Sequence, residues 1–305
     1  MGGWRRAAAL LTAGAFIGLN ALVLIHLQDL SAPSPPPRTS TASLPDKRPV
    51  VRVGVISRYA PTLIYERYQP VMDYLSTAGT YRYELKLSTS YEDAAEQLRR
   101  GDVVASFFGT WIYARLGPHL GLEPVLAPRN EEGGTSFHAV LIVAAASPLS
   151  KTADLAGHRV ALPSRFSYAG NWLSAEALPG AGLSIADLDS VHHFDYHQTV
   201  VHRVMDGQFD AGVVRETVAQ EFAGQGIRII ARSGPFPGPP LVVRAGNPHP
   251  AIPEMVRLLL TLAPSEPTDG TLLRGWAKEF AQGFVAVDAG NYEPIVRLLN
   301  GAGAR

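Results

Sequence analysis

The sequence has no cysteine, which excludes disulfides, thiol catalysis and cysteine-ligated metals. It has no excess charge of either sign either: 27 Lys and Arg stand against 27 Asp and Glu, so nothing points to a nucleic-acid partner. Familiar enzyme signatures are missing as well. There is no Gly-x-Ser-x-Gly, no P-loop, no His-Glu-x-x-His and no Gly-x-Gly-x-x-Gly. No short-period tandem repeat is present. What remains is a globular composition, 46% hydrophobic and 18% charged. Its 305 residues suffice for one large or two ordinary domains.

What is present begins at the N-terminus. Arg5 and Arg6 precede an uncharged run from Ala7 to Leu27, broken only by Thr12, Asn20 and His26. A run of that length matches a bilayer span and exceeds most signal-peptide cores, and the small-x-small pattern at Leu30-Ser31-Ala32 is poor. Residues 1–30 therefore read as an uncleaved signal anchor, or otherwise as a signal peptide. The arginines would lie inside and the rest of the chain outside. Residues 31–49 are rich in Pro, Ser and Thr and read as an extended linker.

From Val50 onward, strand-like runs such as VVRVGVI (50–56), YELKLS (83–88), VVASFF (103–108), HAVLIVAA (138–145) and FDAGVV (209–214) alternate with helical stretches. Ser90, Asp93 and Gly101 cap the helix between them at residues 90–101. Pro70 marks a kink or restart in a helix around 62–77, and further helices are expected near 253–262, 271–282 and 290–300. The class is α/β with a largely parallel sheet, in two blocks that suggest two lobes and a cleft. Ligands of such folds sit at the carboxyl ends of strands, and hinge closure buries them.

One strand-to-helix turn fits that picture. LPSRFSYAGNW (162–172) places Ser164, Arg165 and Ser167 where a helix begins, and helix N-termini carry unpaired N–H groups suited to an anion. An ordinary loop with a Ser N-cap is the plainer alternative. HHFDYHQTVVH (192–202) invites a metal reading, but its histidines show no standard ligand spacing on one face.

Four ordered segments resemble the periplasmic binding proteins for phosphonate, phosphite and phosphate that serve ABC transporters. They are SYEDAAEQLRRGDVVASFFGTWIYA, SFHAVLIVAAASPLSKTADLAGHRVALP, HQTVVHRVMDGQFDAGVV and SGPFPGPPLVVRAG. The resemblance runs from about Val51 to Leu299 and implies a two-lobed type II binding-protein fold. Residues 50–138 and 239–305 would form one lobe, and 139–238 the other. It places Tyr91, His197 and Ser167 on ligand-contacting positions, with Thr110 at an aromatic Gly turn and Glu216 near an expected acidic residue.

Other positions depart from the family pattern. Arg165 and Phe166 replace hydroxyl residues of the oxyanion turn, and Tyr168 replaces its glycine. Phe137, Ala139 and Pro239 stand where a tyrosine, a serine and often an acidic residue occur. Arg165 is expected to replace lost donors with one planar cation, and Tyr168 with Phe166 to shape an apolar wall. The resemblance implies a periplasmic solute-binding protein, without cofactor, that closes on a small anion for an ABC permease. Two alternatives are a membrane-anchored sensing module acting with a histidine kinase, and a metal-dependent or hydrolytic enzyme.

Overall fold

Strand β1 (Val50–Val55) opens the fold in a computed structural model that describes residues 46–302. The expected N-terminal anchor and nearly all of the linker lie outside the described residues. Among the described residues no helix is long and apolar enough to cross a membrane.

The first block runs β1, α1 (Pro61–Ala78), β2 (Arg82–Leu87), α2 (Tyr91–Arg100), β3 (Ala105–Phe107), α3 (Thr110–Leu120) and β4 (Leu122–Pro128). β-Branched Val51, Val53 and Val55 bury fully against α1, as their period-two spacing requires. Pro70 lies inside α1, which runs unbroken rather than restarting. The α2 cap forms as its sequence dictates. Ser90 Oγ accepts from the Asp93 N–H at 3.0 Å, the Asp93 carboxylate accepts from the Thr89 N–H at 2.8 Å, and Gly101 closes the helix at φ 79°.

The chain crosses over through β5 (Ser136–Phe137) into the second block. There β6 (Ala139–Ala144), β7 (Arg159–Leu162), α4 (Tyr168–Trp172), β8 (Ser190–His193), α5 (His197–Met205), β9 (Ala211–Arg215), α6 (Glu216–Glu221) and β10 (Ile227–Arg232) follow. A π-helical turn (Leu173–Ala177) and a last turn (Leu178–Gly180) prolong α4. The chain returns through β11 (Phe236–Pro237), which pairs antiparallel with β5, so the two crossings lie side by side. It ends in β12 (Leu241–Arg244), α7 (Ala251–Thr261), α8 (Pro267–Arg274), β13 (Phe284–Ala286) and α9 (Glu293–Ala302).

Two sheets result, ordered β13-β4-β12-β3-β1-β2 and β10-β6-β9-β7-β8. Helices cover both faces of each. In the first, Tyr68, Met72, Met255 and Phe280 pack on one side and Leu98, Ile112 and Tyr292 on the other. Phe107 and Phe108 point to these opposite cores, as strand alternation predicts.

Two sequence expectations need correction. The sheets are mixed rather than largely parallel. β1 pairs in parallel with β2 and β3, and β7 with β8 and β9, but β12, β6, β13 and β10 run antiparallel to their neighbours. β6 and β12 enter their sheets directly from the crossings, which reverses their direction. The helix expected at 271–282 spans Pro267–Arg274 instead, and residues 275–282 form turns. That difference places Glu279 on a turn that dips into the protein interior.

Candidate functional site

The parallel strands of both sheets end on one cleft, whose lining includes Ile56, Arg58, Tyr91, Thr110, His197 and Arg215. Arg58 follows β1, Tyr91 follows β2, and Gly109 with Thr110 follow β3. From the other lobe, Ser167–Ala169 follow β7, His197 follows β8, and Arg215 is the last residue of β9. Phe236 and Pro239, from the returning crossing, complete the wall. The space is about 420 Å³ when its open mouth is counted.

Three buried charged residues that the sequence does not single out meet beside the cleft: Arg58 and Arg215 line it, while Glu279, bonded to both, lines a second hollow. Arg58, Arg215 and Glu279 are each about 7% exposed or less. Arg58 Nη2 donates to a Glu279 carboxylate oxygen and contacts the Tyr68 hydroxyl. Arg215 Nη1 reaches the same carboxylate oxygen at 3.4 Å, across the lobe boundary. The Arg215 guanidinium also lies 3.8 Å over the ring of Phe137, a cation–π contact. Phe137 thus supports the cation rather than offering the donor lost with the family's tyrosine.

Two cations share one carboxylate, so the cluster carries an excess positive charge. Arg58 and Arg215 hold the Glu279 carboxyl below its usual range despite burial, while burial pushes Arg215 down and Glu279 pulls it back up. The Nε and Nη2 of Arg215 and the Nε of Arg58 are buried with no hydrogen-bond partner among the described residues. Such donors cost roughly 1–3 kcal/mol each when left unmade. An anion in the cleft would supply the missing charge and acceptors.

His197 adds a neutral donor. The Arg215 backbone N–H donates to its Nδ1 at 3.2 Å, which leaves Nε2 to carry the ring hydrogen. Burial, reinforced by Arg215 and Arg58, pushes its pKa down to about 3.

A consequence for stability follows from that shift. The unfolded imidazole takes up a proton near pH 6.5 while the folded one refuses it until about 3. Stability falls as pH drops through that window, by roughly 1.4 kcal/mol per pH unit for one group. Denaturant melts of wild type and His197→Gln between pH 4 and 7 should show a shallower slope in the variant. Equal slopes would remove His197 as the cause.

The remaining residues expected at the site divide. Tyr91 lines the cleft and stacks on Phe166, with ring centroids 5.7 Å apart, but Phe166 lines a neighbouring hollow rather than the cleft wall expected for it. Burial pushes its phenol far up, against the opposing pull of Arg58. Tyr168 lines the cleft with its ring, stacked on Phe236 at 4.1 Å, while its hydroxyl donates away to Glu176 at 2.9 Å. Thr110 lines the cleft, but its hydroxyl donates to the Pro237 carbonyl at 2.6 Å.

Ser167 takes the plainer of its two roles. Its Oγ accepts from the Gly170 N–H at 3.0 Å and donates to the Ser164 carbonyl at 2.9 Å, so its hydroxyl hydrogen is committed to the turn. Ser164 accepts from the Phe166 N–H at 3.2 Å and lines a neighbouring hollow with Ser57, Asp195 and Tyr196. Arg165 is exposed and does not line the cleft, because the turn directs the arginine outward and Phe166 inward. Glu216 is also outside, in a bidentate pair with Arg232 at 2.8 Å. Its neighbour Arg215 occupies the cleft instead, with the opposite charge. Among the described residues no three His, Asp or Glu side chains converge as a metal site.

The turn at 162–172 has a strict steric requirement of its own. A Cβ on Gly170 would sit 2.2 Å from the Ser164 carbonyl oxygen and 2.8 Å from that of Pro163, both backbone atoms. Gly170→Ala should lower stability by roughly 1–3 kcal/mol, as overpacking does, and lower the affinity for any ligand the turn helps enclose. A chemical melt with the wild-type midpoint would contradict this.

Contacts bridge the two lobes beside the cleft. Arg67 of α1 forks onto Glu221 of α6 at 2.8 and 2.9 Å, and Trp111 meets Tyr168 edge-on at 6.2 Å.

Comparison with known proteins identifies the family. The profile of the family described as "ABC transporter, phosphonate, periplasmic substrate-binding protein" matches residues 53–292. The chain belongs to this family. The phosphonate-type binding-protein fold is also seen in its solved relatives. A binding-protein component of an ABC phosphonate transporter from Pseudomonas aeruginosa superposes with a TM-score of 0.70 at 16% identity, covering 83% of this chain and 86% of that one. PhnD1 from Prochlorococcus marinus, in complex with methylphosphonate, gives 0.70 at 18% identity, covering 82% and 98%. A Xanthomonas citri protein bound to chloride ion gives 0.64 at 24% identity, covering 84% and 98%. At these identities the shared feature is the fold, so the ligand of this phosphonate-type binding protein has to be argued from its own cleft.

Proposed function

We propose that this protein captures a small oxyanion on the periplasmic side of the membrane and delivers it to an ABC permease. Residues 50–138 with 239–302 would form one lobe and 139–238 the other, with the ligand between them. The observation that carries this reading is the pair Arg58 and Arg215, two buried cations that line the cleft, share one carboxylate and keep buried N–H groups without a partner among the described residues. His197 Nε2 would donate beside them, and Tyr91 would close one side. No step of bond making is required of any of these groups. The cleft binds and releases.

The test is a thermal-shift screen at low ionic strength with phosphate, phosphite, methylphosphonate, sulfate, methanesulfonate and acetate, set against neutral solutes of similar size. Binding to the folded state raises the melting temperature by mass action. A shift with at least one oxyanion is expected. Shifts confined to neutral solutes would overturn the reading.

A further inference from the structure

We propose that Glu279 sets the charge of the ligand, so that this cleft selects small organic monoanions with an apolar substituent over dianions. The inference rests on the anion-binding reading above. Its physical basis is the charge balance of a buried cluster. Glu279 already satisfies part of what Arg58 and Arg215 need, and only one positive charge is left over.

The surrounding groups do not alter that balance: in the second hollow, beside Glu279 itself, Arg129, Lys278 and Arg232 stand against Glu131, Glu132 and Glu216, three charges of each sign. Arg67 is occupied by Glu221, and Tyr59 offers ring faces to Arg58 and Arg67. His197 is a neutral donor, and Tyr68 and Tyr91 are buried phenols. Asp195 is exposed at the neighbouring hollow, where solvent screens it. A monoanion therefore brings the site to neutrality. A dianion leaves one charge uncompensated in a dry cleft, at high cost.

The rest of the lining fits the second half of the proposal. Ile56, Ala169, Phe236, Pro239 and the ring of Tyr168 give the cleft an apolar portion of its lining. Pro239 offers no carboxylate for an ammonium group. The head group can be a sulfonate, a carboxylate or a singly ionised phosphonate, since the site recognises one negative charge with acceptors for Arg215 and His197.

The test compares two probes whose charge does not change near neutral pH. Calorimetric titration of the wild-type protein with methanesulfonate and with sulfate, at one pH and ionic strength, should favour methanesulfonate by roughly tenfold or more. Glu279→Gln keeps the shape and removes the counter-charge, so the preference should narrow or reverse. A methyl-group preference alone would persist in that variant, which separates charge from shape.

If Glu279→Gln folds only when an anion is present, recovery by sulfate in preference to methanesulfonate gives the same support. Recovery by neither overturns the role of Glu279. Equal or tighter sulfate binding by the wild type overturns the charge rule while leaving an oxyanion site intact. Binding of neither probe, nor of acetate or methylphosphonate, is the distinct failure of the anion-binding reading itself.

Discussion

Arg215→Met should weaken oxyanion binding by about 100-fold or more, equivalent to about 3 kcal/mol, while the protein stays folded. Methionine keeps much of the side-chain length over Phe137 but removes the cation and its free N–H donors. It leaves Arg58 and Glu279 as a balanced pair, so no buried charge is stranded. The loss should fall on binding, read by calorimetric titration, and only weakly on the melting temperature. Arg165→Ala is the matched control. Arg165 is an exposed arginine outside the cleft, and its removal should leave affinity within about twofold, since screened surface charges contribute little. The opposite ranking of these two variants would return the cationic role to the 162–172 turn.

Glu279→Ala should have the largest effect on stability. It leaves two buried guanidinium groups facing each other with no counter-charge, and breaking a buried ion cluster in this way costs about 3–5 kcal/mol. The loss should depend on anions. A ligand at 100 times its Kd restores about 2.7 kcal/mol through binding to the folded state alone. The pH dependence has a definite sign. Because the folded Glu279 carboxyl is held below its usual range, its contribution is present above the unfolded carboxylate pKa and is lost as pH falls through the folded value. Denaturant titrations with and without methanesulfonate check both parts. A melt midpoint within error of wild type, insensitive to anion, would show that the triad carries no such energy.

These two variants concern residues that the sequence did not reveal, and the reason is physical. The α/β alternation, the Ser90 cap and the buried valines of β1 were legible because each follows from local periodicity or a local hydrogen bond. Tyr91, Ser167, Tyr168 and His197 were legible as cleft neighbours because parallel strands bring their carboxyl ends together. The triad is not local. Arg58 and Glu279 are 221 residues apart, and Arg215 comes from the other lobe.

A charged residue closing an apolar strand, as Arg215 closes AGVVR, was the one available signal. Expecting a helix at 271–282 concealed Glu279, since Gly275 ends α8 and returns the chain inward. The turn at 162–172 lends residues 167–169 to the cleft lining. Its serines, however, are engaged in holding the turn itself, and its arginine faces solvent.

The position of a bound anion tests the account most directly. A crystal structure of the protein with 2-bromoethanesulfonate would locate the tail by the anomalous signal of bromine and the head by its sulfonate density. The account predicts the sulfonate within hydrogen-bond distance of Arg215 Nη2 and His197 Nε2, with bromine against Phe236 and Tyr168. A sulfonate on Arg165, or in the hollow lined by Ser57 and Asp195, would contradict it.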